Sequence, residues 1–275
     1  MRHLLVISVL LSALCVACSS SPKQAETQEA KATDSQKIYY NAFSHNDYWR
    51  ERPLFDALDL RFNCVEADLW LIDGELYVSH DEPKPDPSIT FGNLYLKPLI
   101  ARLEANGGKV YPESDRPFYL MVDCKAQGED MYQVLKKQVE PYKRYFCSVT
   151  DGEYKEGAIL LFLSGDRPKE SLPKEQERYM FLDGQIQDLG QGVPASLAPV
   201  VSDDYLAFFD WIGVGEMPQD QLQRMRNIIQ QVHDEGKLFR WWGAPDTPQF
   251  KRFFIEEGVD LVGADDLKSL YEVLN

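Results

Sequence analysis

From Tyr39 onward, about eight short apolar runs of strand character follow one another, with segments of helical periodicity between several of them. No other feature constrains the fold so tightly, because strands joined through helices pair in parallel and need those helices to cover them. Strand candidates are 39–43, the run beginning at Asn63, 118–124, 145–149, 158–163, 179–182, 198–201, 238–242 and 259–263. Between them, 53–60 reads as a helix with proline in its first turn. Leu96, Leu99, Ile100 and Leu103 share a helical face that ends at Asn106-Gly107-Gly108. Leu222, Met225, Ile229 and Val232 mark a long amphipathic helix stopping at Gly236, and further helices follow around 250–257 and through Leu267, Leu270, Tyr271 and Leu274. In one domain of this size the pattern predicts an α/β fold, a closed (β/α)8 TIM barrel. A doubly wound open sheet is the runner-up, but no glycine-rich phosphate loop follows the first strand.

The chain divides into three parts. Residues 1–18 open on Met1-Arg2-His3, continue as an apolar run too short to span a bilayer comfortably, and end at Val16-Ala17-Cys18, which is similar to the end of a bacterial lipobox. The expectation is an exported lipoprotein of the cell envelope, lipidated at Cys18, that touches the membrane only through this anchor. Residues 19–37 carry no Val, Ile, Leu, Met or aromatic side chain and therefore read as a disordered tether. Residues 38–275 form the folded domain. A formal net charge of −15 argues against a nucleic-acid or anionic-membrane surface, so an anionic substrate needs a local cation. Cys64, Cys124 and Cys147 are odd in number and unpaired in spacing, and read as small buried hydrophobes.

The densest chemistry lies between Asn63 and Asp81. Val65, Ala67 and Leu69 alternate with Glu66, Asp68 and Trp70, so two carboxylates leave one strand face two residues apart. Asp73-Gly74 then predicts a tight hairpin whose return strand brings His80-Asp81 back toward them. Barrel chemistry occurs at the carboxyl ends of the strands, which adds Ser44-His45-Asn46-Asp47 after the first strand and Asp123-Cys124-Lys125 at the end of another. Three acids, two histidines and a lysine thus gather at one mouth. Three carboxylates suit one divalent cation, Mg²⁺ or Ca²⁺, better than Zn²⁺. Two histidines beside it suit proton removal from an attacking hydroxyl and proton delivery to a departing alkoxide.

His45, Glu66-Ala67-Asp68, the Gly74 turn and His80-Asp81 resemble the signature of the glycerophosphodiester phosphodiesterase and phospholipase C-like barrel superfamily. Asp123 and Lys125 are similar to the Asp-x-Lys of its sphingomyelinase D-type branch. The Ser-His-Asn-Asp-Tyr opening, Ser164 to Pro168, Arg240 to Asp246 and Gly258 to Val262 resemble the altered-inheritance-of-mitochondria-type branch. The resemblance implies His45 and His80 as the acid/base pair, Glu66, Asp68 and Asp123 as metal ligands, and Lys125 as a phosphate contact. It implies a phosphoric diester hydrolase acting on a small or lipid phosphodiester, such as a glycerophosphodiester or a phospholipid head group, with a cyclic phosphate as one route. Asn46, expected with Lys125 among the substrate-binding residues, stands where glycerophosphodiester phosphodiesterases usually carry a phosphate-gripping arginine.

Among the other residues, Trp242 is a candidate stacking surface for substrate, with Trp241 alternating away from it. Arg167 and Arg240 are candidates for the missing arginine, with structural ion pairing as the alternative. Asp183, Asp203 and Asp265 end apolar runs and are expected to serve turns or caps. Competing functions are a non-catalytic lipoprotein that binds a phosphorylated ligand or glycan, and a glycoside hydrolase. The last fits poorly, because Glu66 and Asp68 lie on one strand and cannot flank a glycosidic bond.

Overall fold

The computed structural model describes residues 37–275, so the expected export signal and nearly all of the tether lie outside the described residues. The barrel strands are β1 (Tyr39–Ser44), β2 (Phe62–Ile72), β3 (Phe118–Cys124), β4 (Ile159–Gly165), β5 (Phe181–Gly184), β6 (Val200–Asp204), β7 (Leu238–Trp242) and β8 (Val262–Ala264). Each pairs in parallel with its sequence neighbours from β1 to β7, β8 pairs with β1, and a parallel bridge between Arg240 and Leu261 closes the ring. The predicted (β/α)8 barrel is the observed architecture.

Both faces of these strands are buried, as a barrel inside a helical coat requires. Phe43, Cys64, Met121, Leu160, Phe162, Phe181, Val200 and Leu261 fill the barrel, whereas Val65, Ala67, Leu120, Val122, Leu161 and Leu163 belong to the outer core under the helices. The coat consists of α1 (Phe55–Asp59), α2 (Lys97–Ala105), α3 (Gly128–Val139), α4 (Tyr205–Phe208), α5 (Gln219–Asp234), α6 (Pro248–Glu256) and α7 (Leu267–Leu274). It is incomplete: after β4 and β5 the described chain makes only the short 3-10 turns Leu172–Lys174 and Ile186–Asp188. The run expected as a barrel strand at 145–149 instead contributes Ser148–Thr150 to a small antiparallel sheet with Glu153–Lys155 and Glu177–Arg178. All three cysteines of the domain are buried and free, as expected.

The hairpin forms where Asp73-Gly74 predicts it. Both residues have positive φ, 50° and 81°, the combination that matches strand twist in a two-residue turn. The return strand Glu75–Val78 pairs with the end of β2 through Leu69↔Val78 and Ile72↔Glu75. It delivers His80 to the carboxyl-terminal mouth of the barrel.

Candidate active site

Inward-facing positions along a strand recur every second residue, and here each inward file changes from apolar to polar as it reaches the mouth. Phe43 is followed by His45, Cys64 by Glu66 and Asp68, Met121 by Asp123 and Lys125, Phe162 by Ser164, Phe181 by Asp183, and Val200 by Ser202. These polar ends line a cavity of about 410 Å³ together with His80, Asn46, Arg167, Arg240 and Trp242. All eight residues expected at the site, His45, Asn46, Glu66, Asp68, His80, Asp123, Lys125 and Trp242, border this one space.

Each histidine is held by a carboxylate. His45 Nδ1 lies 2.8 Å from Asp265 Oδ1, leaving Nε2 toward the cavity, 3.6 Å from Glu66 Oε2. Burial pulls the imidazole pKa down, but the Asp265 hydrogen bond and the Glu66 charge outweigh it, so His45 titrates above the ordinary histidine value. His80 Nδ1 lies 3.1 Å from Asp68 Oδ2, and its ring meets Trp49 edge-on at 5.9 Å. Tyr48, which follows β1 in a 3-10 turn, places its hydroxyl 2.7 Å from both Asp68 Oδ2 and Asn46 Oδ1 and 3.4 Å from His80 Nδ1. Asn46 adopts a left-handed conformation, donates its backbone N–H to Glu66 Oε2 at 2.9 Å, and donates its side-chain amide to Asp265 at 3.2 Å. It is thus a strut between the acids, not a cation.

The acids form a graded set. Glu66 is buried, and burial drives its carboxyl pKa up against the opposing charges of Arg240 and His45. The Lys125 ammonium lies 2.7 Å from Asp68 Oδ2 and 2.7 Å from Asp123 Oδ2. Burial lowers its pKa, yet the two carboxylates more than reverse that effect. Asp68 is 1% exposed and its Oδ1 meets no hydrogen-bond partner among the described residues, a buried carboxylate oxygen of the kind a hard cation takes. The donor chemistry of Glu66, Asp68 and Asp123 therefore fits Mg²⁺ or Ca²⁺. As the side chains stand, however, Lys125 bridges two of the three acids, and no three potential ligands among the described residues converge on one point.

Three contributors escaped the sequence reading. Tyr48 carried no spacing signal. Asp265 and Asp183 were expected in turns, yet Asp265 holds His45, and Asp183 is buried under the cavity, accepting hydrogen bonds of 2.9 Å from both Ser164 and Ser202. Burial pushes the Asp183 carboxyl up to about 6, with Arg240 and the two hydroxyls pulling it back. Asp203 accepts from the Ile186 backbone at 3.1 Å, the turn role expected of it. Trp241 packs outward against Phe239 and Tyr205, whereas Trp242 is 45% exposed at the mouth.

Comparison with known proteins bears on the same region. The altered inheritance of mitochondria protein 6 homolog of Arthroderma benhamiae is 26% identical, over 95% of this chain and 98% of that protein. Altered inheritance of mitochondria protein 6 of Kluyveromyces lactis is 28% identical, over 87% of this chain and 73% of its own length. Among solved structures, a glycerophosphodiester phosphodiesterase from Parabacteroides distasonis superposes with a TM-score of 0.53 at 15% identity, covering 85% of this chain and 96% of that one, which supports the shared barrel fold. The AIM6-like phosphodiesterase domain model matches residues 33–183, the part of the chain that supplies His45, Glu66, Asp68, His80, Asp123 and Lys125, and the chain belongs to that family.

Proposed function

We propose that this protein is a metal-dependent phosphoric diester hydrolase that uses His45 and His80 as its acid/base pair on a small or lipid phosphodiester, such as a glycerophosphodiester or a phospholipid head group. The observation that carries this reading is the pairing of each histidine Nδ1 with a carboxylate, Asp265 or Asp68, on the rim of one cavity. A carboxylate partner fixes the tautomer and ring orientation, leaving Nε2 to exchange a proton with substrate.

One histidine takes the proton of the attacking hydroxyl, from water or from the substrate itself, as its oxygen bonds to phosphorus. The other donates a proton to the leaving alkoxide as the ester P–O bond breaks. Attack by a substrate hydroxyl leaves a cyclic phosphate, and attack by water leaves a monoester. Glu66, Asp68 and Asp123 would hold Mg²⁺ or Ca²⁺, which supplies charge neutralisation and polarisation of the phosphoryl group when bound. Lys125, released from bridging Asp68 and Asp123, would meet the phosphate, and Trp242 would stack against the substrate's organic portion.

The test is product release from a panel of glycerophosphodiesters and phospholipids, with Mg²⁺ or Ca²⁺ and again with chelator, for the wild-type protein and for His45→Ala, His80→Ala and Asp68→Ala. Chelator-sensitive cleavage lost in both histidine variants is expected, with calorimetric metal binding lost in Asp68→Ala. Substantial turnover in either histidine variant would refute the acid/base assignment, and unchanged metal binding in Asp68→Ala would refute the ligand assignment. Metal binding without cleavage of any diester would favour a role in ligand binding.

A further inference from the structure

Arg240 is inward-facing on β7, 3% exposed, and faces the cavity from the side of the ring away from Lys125. Its guanidinium lies over the Phe43 ring at 4.4 Å, and the nearest carboxylate oxygen is Glu66 Oε1 at 4.0 Å, beyond hydrogen-bond reach. Its side chain forms no hydrogen bond to any described residue, and its Nε is a buried donor without a partner. Arg167, after β4, is 9% exposed on the same cavity, and its side chain also makes no ion pair or hydrogen bond to a described residue.

A structural arginine is ordinarily buried with its fork closed on a carboxylate or on backbone carbonyls, because a desolvated guanidinium with idle N–H groups is costly. Here charge is balanced without the geometry being satisfied. Glu66 and Asp183 offset the Arg240 charge through space, yet neither accepts from its fork. A planar fork aimed into a cavity of about 410 Å³ matches paired oxygens on a tetrahedral anion.

We propose that Arg240, assisted by Arg167, is the phosphate anchor of this site, taking the non-bridging oxygens of the bound group with a fork that no described residue engages. This deepens the phosphodiesterase reading and rests on it for the identity of the anion as part of a diester. Arg240 approaches from β7 and Arg167 from the loop after β4, while Lys125 follows β3, so three cations border the space from different sides. A phosphoryl group gripped in this way lies across the barrel axis, within reach of histidines that come from β1 and from the β2 hairpin.

The probe is inorganic phosphate, titrated calorimetrically into the full chain and into Arg240→Gln, Arg240→Lys and Arg167→Gln, with thermal unfolding recorded for each. The expected result is that Arg240→Gln weakens phosphate about tenfold or more while still unfolding cooperatively. Arg240→Lys should weaken it severalfold, because a point charge replaces the fork, and Arg167→Gln should have a smaller effect. If Arg240→Gln fails to fold, Arg240→Lys decides, since it keeps the charge that balances Glu66 and Asp183 and loses only the fork. Phosphate affinity unchanged in the folded Arg240 variants, or no phosphate binding by the wild-type chain, would overturn the proposal. Phosphate bound through Arg240 by a chain that cleaves no diester would overturn the enzymatic reading and leave the anchor standing. Diester cleavage with phosphate affinity indifferent to Arg240 would do the reverse.

Discussion

His45 Nδ1 and Asp265 Oδ1 lie 2.8 Å apart although 220 residues separate them in sequence. The contact joins the end of the first barrel strand to the end of the last, and the register Ser44↔Ala264 sets it, because the next residue on each strand is the one that pairs.

Asp265→Asn should lower the pKa of His45, since the neutral amide removes the hydrogen-bonded charge that now raises it. The folded His45 pKa lies above the ordinary histidine value of 6.5, so its contribution to stability is present below that value and lost as pH rises through the folded pKa. Burial acts to raise the Asp265 pKa, but its bond to His45 holds the folded value below 3.8, so its contribution is present above 3.8 and lost as pH falls through the folded value. The pair therefore stabilises most between about pH 4 and 6.5. An NMR titration of the His45 ring checks this, and an unshifted resonance would sink the assignment. Turnover should fall about tenfold to a hundredfold.

Tyr48→Phe removes a hydroxyl within 2.7 Å of both Asp68 and Asn46. Burial and the Asp68 charge hold the Tyr48 pKa far above the ordinary phenol value, so the group serves as a donor and not as a proton source. The expected cost is about 1 kcal/mol of stability. A severalfold loss of turnover should accompany it as the His80–Asp68 pair loosens. Full activity in Tyr48→Phe would assign Tyr48 to structure alone.

Burial raises the folded pKa of Asp183 to about 6, from the ordinary aspartate value of 3.8. A carboxyl raised in this way contributes stability below its unfolded pKa and loses it as pH rises through the folded value. The loss between pH 4 and 6 is on the order of 3 kcal/mol. Asp183→Asn should flatten that part of the stability profile. Denaturant midpoints at pH 4.5 and 7.5 provide the check, and a variant that keeps the wild-type slope would show that Asp183 is not its source.

Gly165 ends β4 at a φ of 65°, where an added Cβ would stand 2.2 Å from Asp123 Oδ1 and 2.5 Å from the Cys124 carbonyl oxygen. Gly165→Ala should therefore displace Asp123 from Lys125 and cost about 1 kcal/mol or more. A crystal structure of the variant with Asp123 unmoved would contradict this expectation.

Much of the barrel was legible because its determinants are local. Period-two alternation in β2 placed Glu66 and Asp68 on one face, Asp73-Gly74 predicted the turn, and strand ends marked His45, Asp123 and Lys125. The same alternation marks Asp183 and Asp265 as continuations of the inward files through Phe181 and through Leu261 and Gly263, but a carboxylate at the end of an apolar run also fits a helix cap. Helix α3 went unread between Cys124 and Tyr145, although Met131, Leu135 and Val139 recur at helical spacing there.

The amino-acid order by itself determined which residues face inward and which ends of the strands carry polar groups, because side-chain direction follows from backbone period alone. Only the closed barrel decided which of those groups meet. Asp265 reaches His45, Tyr48 reaches Asp68, and Lys125 spans two acids because ring closure and strand register bring together residues far apart in the chain. Whether Arg240 is paired or idle was likewise set by tertiary packing, since that depends on how far Glu66 and Asp183 stand from its fork across the interior.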